Sequence, residues 1–294
     1  MKHDPLVEIG VEELPPSSVL QLSDAFSQCV ETHLKSHSLC HGEIVTYATP
    51  RRLALLIRSL ESKGPDQEKV VWGPPVNVAF TEDGGVSRAG KAFAIKNNMQ
   101  VKDLRDFVAN DGKQDKLCCH LTSEGFRTKE VIEMIINASL SELPIAKRMR
   151  WGANRQEFVR PVQWIVLIYG PEVLQRQIFG VVSGNTSRGH RFHAPEEIVI
   201  DSPGSYKKQL HEHYVVVDFN ERREIIREGV RMLATEFGGK AVIDEPLLKE
   251  VTAITEWPVP LLGHFDEGFL SVPAEALISA MKEHQKYFHI TGTD

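Results

Sequence analysis

Trp164-Ile165-Val166-Leu167-Ile168-Tyr169 runs without a charged residue and is closed by Gly170-Pro171. A segment of that length with no polar position needs cover on both faces. It therefore suits the middle of a sheet, a short buried helix being the other reading. Around it the chain mixes strand and helix signals. Leu6–Gly10 alternates like a strand, and the apolar residues from Val19 to Leu34 recur at helical spacing after Pro16. Ile44–Ala48 and Leu53–Ile57 read as two strands joined at Thr49-Pro50-Arg51-Arg52, a hairpin or a sharp corner. Further strands are expected at Val70–Trp72, Leu117–Leu121, Ile178–Val182, Ile198–Ile200, Val215–Val217, Phe269–Pro273 and Tyr287–Ile290. Helices are expected from Ser87 to Asn97, where Gly90 is unfavourable, and from Thr128, as cap, to Pro144. Others are expected at Tyr206–His211, at Arg222–Phe237 ahead of Gly238-Gly239, at Leu247–Ile254 and at Ala274–His284.

Strands and helices do not alternate strictly, so the pattern predicts an α+β fold with mixed or antiparallel sheets and packed helices. At 294 residues the chain exceeds the usual single-domain size. Two lobes are expected, 1–150 and 151–294, with strands of both able to share a sheet. Thr291-Gly292-Thr293-Asp294 reads as a hairpin turn lacking its returning strand, which predicts an N-terminal fragment of a longer polypeptide.

Lys147 to His193 alternates cations with aromatic rings. Lys147, Arg148, Arg150, Arg155 and Arg160 face one carboxylate, Glu157, within fourteen residues, although the whole chain has a formal net charge of -6. A local positive field in a negative chain points to a bound polyanion, held by phosphate contacts and by stacking on exposed rings. A helix end with solvated charges beside core tryptophans is the plainer alternative.

Cys29, Cys40, Cys118 and Cys119 form no CxxC pair, and adjacent Cys118 and Cys119 fit two buried thiols in a reducing compartment. Nothing resembles a signal peptide, and no apolar run approaches the roughly 20 residues that span a bilayer. A cytoplasmic location is expected. P-loop, dinucleotide-binding, HExxH and GxSxG motifs are absent. His190 and His193 form only an HxxH, and Arg188 and Arg191 beside them would repel a cation. No metal site and no independent catalytic residues are expected.

Eight motifs in order resemble the β subunit of bacterial-type, tetrameric glycyl-tRNA synthetase. They are Leu6–Gly10 with Glu12-Glu13-Leu14-Pro15, Ala48–Ala54, Lys147–Gly152, Phe158–Val162 with Trp164, Arg188–His193, Glu256–Val259, Val272–Ile278 and His284–Phe288. Gln163 stands where that family usually has His, and Thr255 where an apolar residue is common.

The resemblance implies an N-terminal part of an aminoacyl-tRNA synthetase that joins glycine to tRNA(Gly) through glycyl-adenylate. ATP and Mg would be used by a class II active site on the α subunit, separate or fused, and no cofactor is expected in this fragment. Partners would be tRNA(Gly) and the α subunit, with no membrane and no DNA. The resemblance also implies an α+β fold like the B3/B4 region of phenylalanyl-tRNA synthetase. That region's editing role is not expected here: a double sieve needs a wrong product smaller than the right one, and glycine has no smaller competitor.

On this reading Arg148, Arg150, Arg160, Arg188, His190 and Arg191 are the expected tRNA contacts, with Arg51, Arg52, Lys282, His284 and Lys286 as further candidates. Two alternatives stay open. The arginines of Arg160-Pro161 and Arg188-Gly189-His190 could instead pair with Glu8, Glu12 or Glu256 and hold the lobes together. The fragment could also be a scaffold for the α subunit that touches no tRNA.

Overall fold

Every residue of the strand Pro5–Val11 is buried. Side chains alternate between faces along a strand, so this sheet is covered on both sides. The computed structural model describes residues 1–153 and 155–292 and places this strand at the centre of a five-stranded antiparallel sheet. The order is Glu172–Val173, Val162–Tyr169, Pro5–Val11, Arg52–Ile57, Ile44–Thr49. The apolar run thus neighbours the central strand, as a two-sided burial pattern requires. On one face Val7, Ile9, Leu55 and Leu167 lie under the helices Val19–Ser36 and Thr128–Ser141. On the other Leu6, Leu56, Val166 and Ile168 pack against Ile198, Tyr206, Leu210 and Val217. An α+β fold is what results.

The chain forms two compact units, Met1–Lys63 with Arg127–Asp294, and Gly64–Phe126. Residue 150 lies inside the first unit, whose central sheet draws strands from both halves of the chain. The second unit has its own sheet, Gln67–Pro75, Asp115–Ser123 and Val108–Asn110, with Asp115–Ser123 in the middle. Its core gathers Ala79, Phe93, Ala94, Leu104, Leu117 and Cys119. Cys118 and Cys119 are both buried free thiols there.

Several local expectations are corrected. Thr128 does not cap its helix, because Arg127 holds the cap position and the Thr128 hydroxyl donates to the Glu61 carbonyl at 2.5 Å. Val215–Val217 is extended without joining a ladder: the Val216 N–H donates to Glu256 O at 2.9 Å, and Val217 O accepts from Ala48 N–H at 3.1 Å. Instead of a strand at Phe269–Pro273 there is a 3₁₀ turn, Glu267–Ser271, whose preceding Asp266 accepts from the Gly268 N–H. Ile178–Val182 folds on itself as the paired strands Gln177–Ile178 and Val181–Val182. Of Tyr287–Ile290 only Ile290 is in a strand, paired with Ala241. The expected turn at 291–294 falls partly outside the described residues.

The helix expected to open at Arg222 starts one turn earlier. It begins at Phe219 behind the cap Asp218, and the Arg222 side chain is fully buried. The guanidinium donates to the carbonyls of Thr252, Val216 and Ala48 at 3.1, 2.5 and 2.8 Å. Burial pulls its pKa down from 12.5 to about 10, with the Glu256 and Asp218 charges opposing. Among the described residues no helix is long and apolar enough to cross a membrane.

Candidate nucleic-acid interface

Glu8 sits mid-strand on the sheet face that carries Leu6, Leu56, Val166 and Ile168, with no exposure to solvent. A carboxylate there needs several donors. Trp164 Nε1 donates to Oε1, Ser187 Oγ donates to the same oxygen at 2.6 Å, and the Tyr206 hydroxyl donates to Oε2 at 2.5 Å. Burial, reinforced by the Glu8 charge, raises the Tyr206 phenol well above its ordinary pKa, so it remains a donor. Gly10 and Arg52 are register partners, and so are Gly10 and Trp164. The indole lies flat across Gly10, where a Cβ would come 1.9 Å from a ring carbon.

Arg51 and Arg52 enter this interior from the Pro50-Arg51 turn. Arg51 Nη2 donates to Glu256 Oε2 at 2.6 Å and to Gly189 O at 2.7 Å, and its Nε reaches the same carboxylate oxygen at 3.2 Å. Arg52 is fully buried; its Nη2 donates to Arg188 O at 2.9 Å, and its Nη1 stands 4.0 Å from Glu8 Oε2. Thr49 Oγ1 donates to Glu256 Oε1 at 2.8 Å. Burial alone would raise the Glu256 carboxyl, but the charges of Arg52 and Arg51 outweigh it and hold the pKa below 4.5. Likewise burial would lower Arg52, and the Glu256 and Glu8 charges leave it above its ordinary value. Arg51 and Arg52, sequence candidates for phosphate contact, are thus committed to internal carboxylates and carbonyls. Their role in this fold is to join the hairpin to the 187–189 segment and to Glu256.

Most of the other candidates are also occupied. Arg148 donates to Ser141 O at 2.7 Å and Leu143 O at 3.0 Å, closing the end of the Thr128–Ser141 helix. Arg150 pairs with Glu157 across a short antiparallel ladder, at 2.6 Å. Arg160 donates to Glu13 O at 3.0 Å, and Arg191 reaches the Glu12 and Glu13 carboxylates at 3.1 Å each. The Glu12-Glu13 corner is therefore an anchor for two motif arginines. Lys282 pairs with Asp244 at 2.8 Å and Lys286 with Glu250 at 3.0 Å, while His284 is exposed.

Arg188 differs. Its guanidinium carbon lies 5.1 Å from the Trp164 ring centroid, and among the described residues its side chain has neither an ion pair nor a hydrogen-bond acceptor. It lines a cleft of about 160 Å³ with Glu12, Gln163, Trp164 and Arg191. Beside it runs a row of rings that the sequence reading took only in part. His190 stacks on His193 at 4.5 Å, His193 meets Tyr214 at 5.3 Å, Tyr214 meets Trp257 at 5.3 Å, and Trp257 meets His211 at 5.0 Å. Phe192, next to His190, is 83% exposed. Burial lowers the His190 pKa below 6.5, with Glu256 opposing. Its Nδ1 accepts the N–H groups of Phe192 and His193 at 3.3 and 3.2 Å, which fixes the loop that displays Phe192. A free guanidinium next to exposed rings offers one phosphate contact and several stacking faces. Among the described residues no three His, Cys, Asp or Glu side chains form a metal-binding group.

The family model for the glycyl-tRNA synthetase beta subunit matches residues 6–294. Curated glycine–tRNA ligase beta subunits from Marinobacter nauticus, Stutzerimonas stutzeri and Hahella chejuensis are 48%, 43% and 44% identical to this chain. The alignments cover 98%, 99% and 100% of this chain and 42% of each relative. The chain thus spans under half the length of the curated relatives it matches.

Proposed function

We propose, on the premise that this chain belongs to the glycyl-tRNA synthetase beta-subunit family, that it supports the ATP-dependent attachment of glycine to tRNA(Gly) by binding the tRNA. The chemistry itself is assigned to the α subunit, together with its ATP and Mg, and the setting is the cytoplasm. The observation that carries this reading is the family match across nearly the whole chain. The Arg188 cleft and the ring row make it concrete. Arg188 meets a phosphate, and Phe192 and His193 stack on bases made accessible in a loop or an end of the RNA. Arg51 and Arg52 hold the floor beneath that surface.

Replacing Phe192 by Ala removes one stacking face, expected to weaken tRNA(Gly) binding by about 1–3 kcal/mol, and Arg188→Ala should reduce the steepness of its salt dependence. Filter binding at two salt concentrations tests both. Unchanged affinity and slope in the two variants would move this surface out of the RNA interface.

A second reading, docking of the α subunit, is favoured by a separate observation. Leu261 is 86% exposed and Leu270 67%, in a stretch where Phe265 and Phe269 are also half exposed. Four large apolar side chains exposed within ten residues of chain are the composition of a docking segment. Pull-down of the α subunit by Leu261→Asp and Leu270→Asp variants, set beside their tRNA binding, separates the two roles.

A further inference from the structure

From Gly84 to Lys102 the chain has four cations, Arg88, Lys91, Lys96 and Lys102, and no carboxylate. Ser87 caps the helix Arg88–Lys96, its hydroxyl accepting the Gly90 N–H at 3.2 Å. Gly90, unfavourable by helix propensity, faces the unit's interior, where a Cβ would lie 2.5 Å from the Ala79 carbonyl oxygen. Phe93 and Ala94 are buried beside it. That contact fixes the helix's rotation. Arg88, Lys91, Ala92, Ile95 and Lys96, at i, i+3, i+4, i+7 and i+8, are then left on one outward stripe. All five are exposed, Ile95 to 77%.

The cations of this stripe are unneutralised. Among the described residues Arg88, Lys91, Lys96 and Lys102 form no ion pair, whereas the motif arginines 148, 150, 160 and 191 all have internal partners. A helix rising 1.5 Å per residue spreads Arg88 to Lys96 over about 12 Å, a span that meets two or three successive phosphates of a nucleic-acid strand. Exposed Asn98 and Gln100 add neutral hydrogen-bonding groups just past its end.

We propose that the outward face of Arg88–Lys96 is a second RNA-backbone contact of this protein. This rests on the tRNA-binding reading above and extends it to the inserted unit Gly64–Phe126. The contact is electrostatic, reads no sequence, and sets orientation and association rate. Charge complementarity with a polyanion selects RNA as the occupant. Three unpaired cations around one exposed isoleucine make a poor core for a protein–protein interface, where charge is depleted.

The test uses the natural full-length protein and a tRNA(Gly) transcript. Wild type is compared with the triple variants R88Q/K91Q/K96Q and R88E/K91E/K96E and with the Lys113→Gln control, a loop lysine outside the stripe. The Gln triple should bind roughly tenfold more weakly at low salt, and the slope of log K against log salt should shrink by about 2. The Glu triple should be weaker still, and the control unchanged. Far-UV circular dichroism checks that the exposed substitutions leave the fold intact. If wild type binds tRNA and the triples match it in affinity and slope, the contact is overturned while the general reading stands. If the triples lose the α subunit but keep tRNA, the face is a protein contact and the proposal also falls. If wild type itself shows no salt-dependent tRNA binding, the broader reading fails with it.

Discussion

Glu256 shows at the scale of one residue how burial redirects a charged motif. It accepts from Thr49 and Arg51 and faces Arg52, all in the interior. Removing one member of such a set leaves uncompensated buried charge, so Glu256→Gln should destabilise the protein by about 3–5 kcal/mol in chemical denaturation. The pH dependence has a definite sign. With its folded-state pKa held below 4.5, ionised Glu256 contributes stability in full above that value, and the contribution is lost as pH falls through the depressed pKa. Wild-type melting temperature should therefore fall in that acid window, and the Gln variant should lack this component. Burial of Arg51 and Arg52 was only partly legible. Two cations at the head of a strand look like surface charge, and the strand's period alone does not say which face is inside. Glu8 was the available signal, since a lone carboxylate in Leu6-Val7-Glu8-Ile9 demands buried donors. Arg222 left no comparable trace, because its partners are backbone carbonyls, one six residues before it and two from the distant Ala48 and Thr252.

Long elements followed their periodicity, and short ones followed their neighbours. The helices Val19–Ser36, Thr128–Ser141 and Phe219–Glu236 lie close to where their apolar stripes put them. The apolar run from Trp164 was readable as a sheet strand for the same reason, since two-sided burial leaves no polar position. Phe269–Pro273 had strand composition but found no pairing edge, and the Asp266 side chain turned it into a 3₁₀ segment. Around the Arg188 cleft the composition of Arg188–His193 announced cations and rings together, but which cations stayed unpaired depended on the Glu12-Glu13 corner. Asp218 tests the capping argument directly. Its side chain accepts the N–H groups of both Asn220 and Glu221 ahead of an 18-residue helix. Asp218→Ala should cost about 1 kcal/mol, and Asp218→Asn much less, measured by thermal unfolding.

At the scale of the whole molecule, the chain interrupts one fold with another. Lys63 and Arg127 face each other across an antiparallel bridge, which brings the two ends of the Gly64–Phe126 insertion together. The buried clusters respect that division. Those of the central sheet draw on residues before 64 and after 126, and the insertion's core uses its own residues alone. No composition shift marks either junction, so the sequence reading put its boundary near residue 150 instead. Net charge is equally uninformative, because -6 averages over paired arginines in one unit and unpaired cations in the other. A direct consequence is testable. Excising Gly64–Phe126 and closing the gap with a two-residue Asn-Gly turn should leave the first unit folded, with its tertiary circular dichroism and cooperative melt retained, because no core residue is removed from the central sheet. The same excision should lower tRNA affinity and its salt dependence to the level of the R88Q/K91Q/K96Q variant. Loss of the cooperative melt would show that the first unit depends on the insertion for its stability. Retained wild-type salt dependence would place every phosphate contact on the first unit.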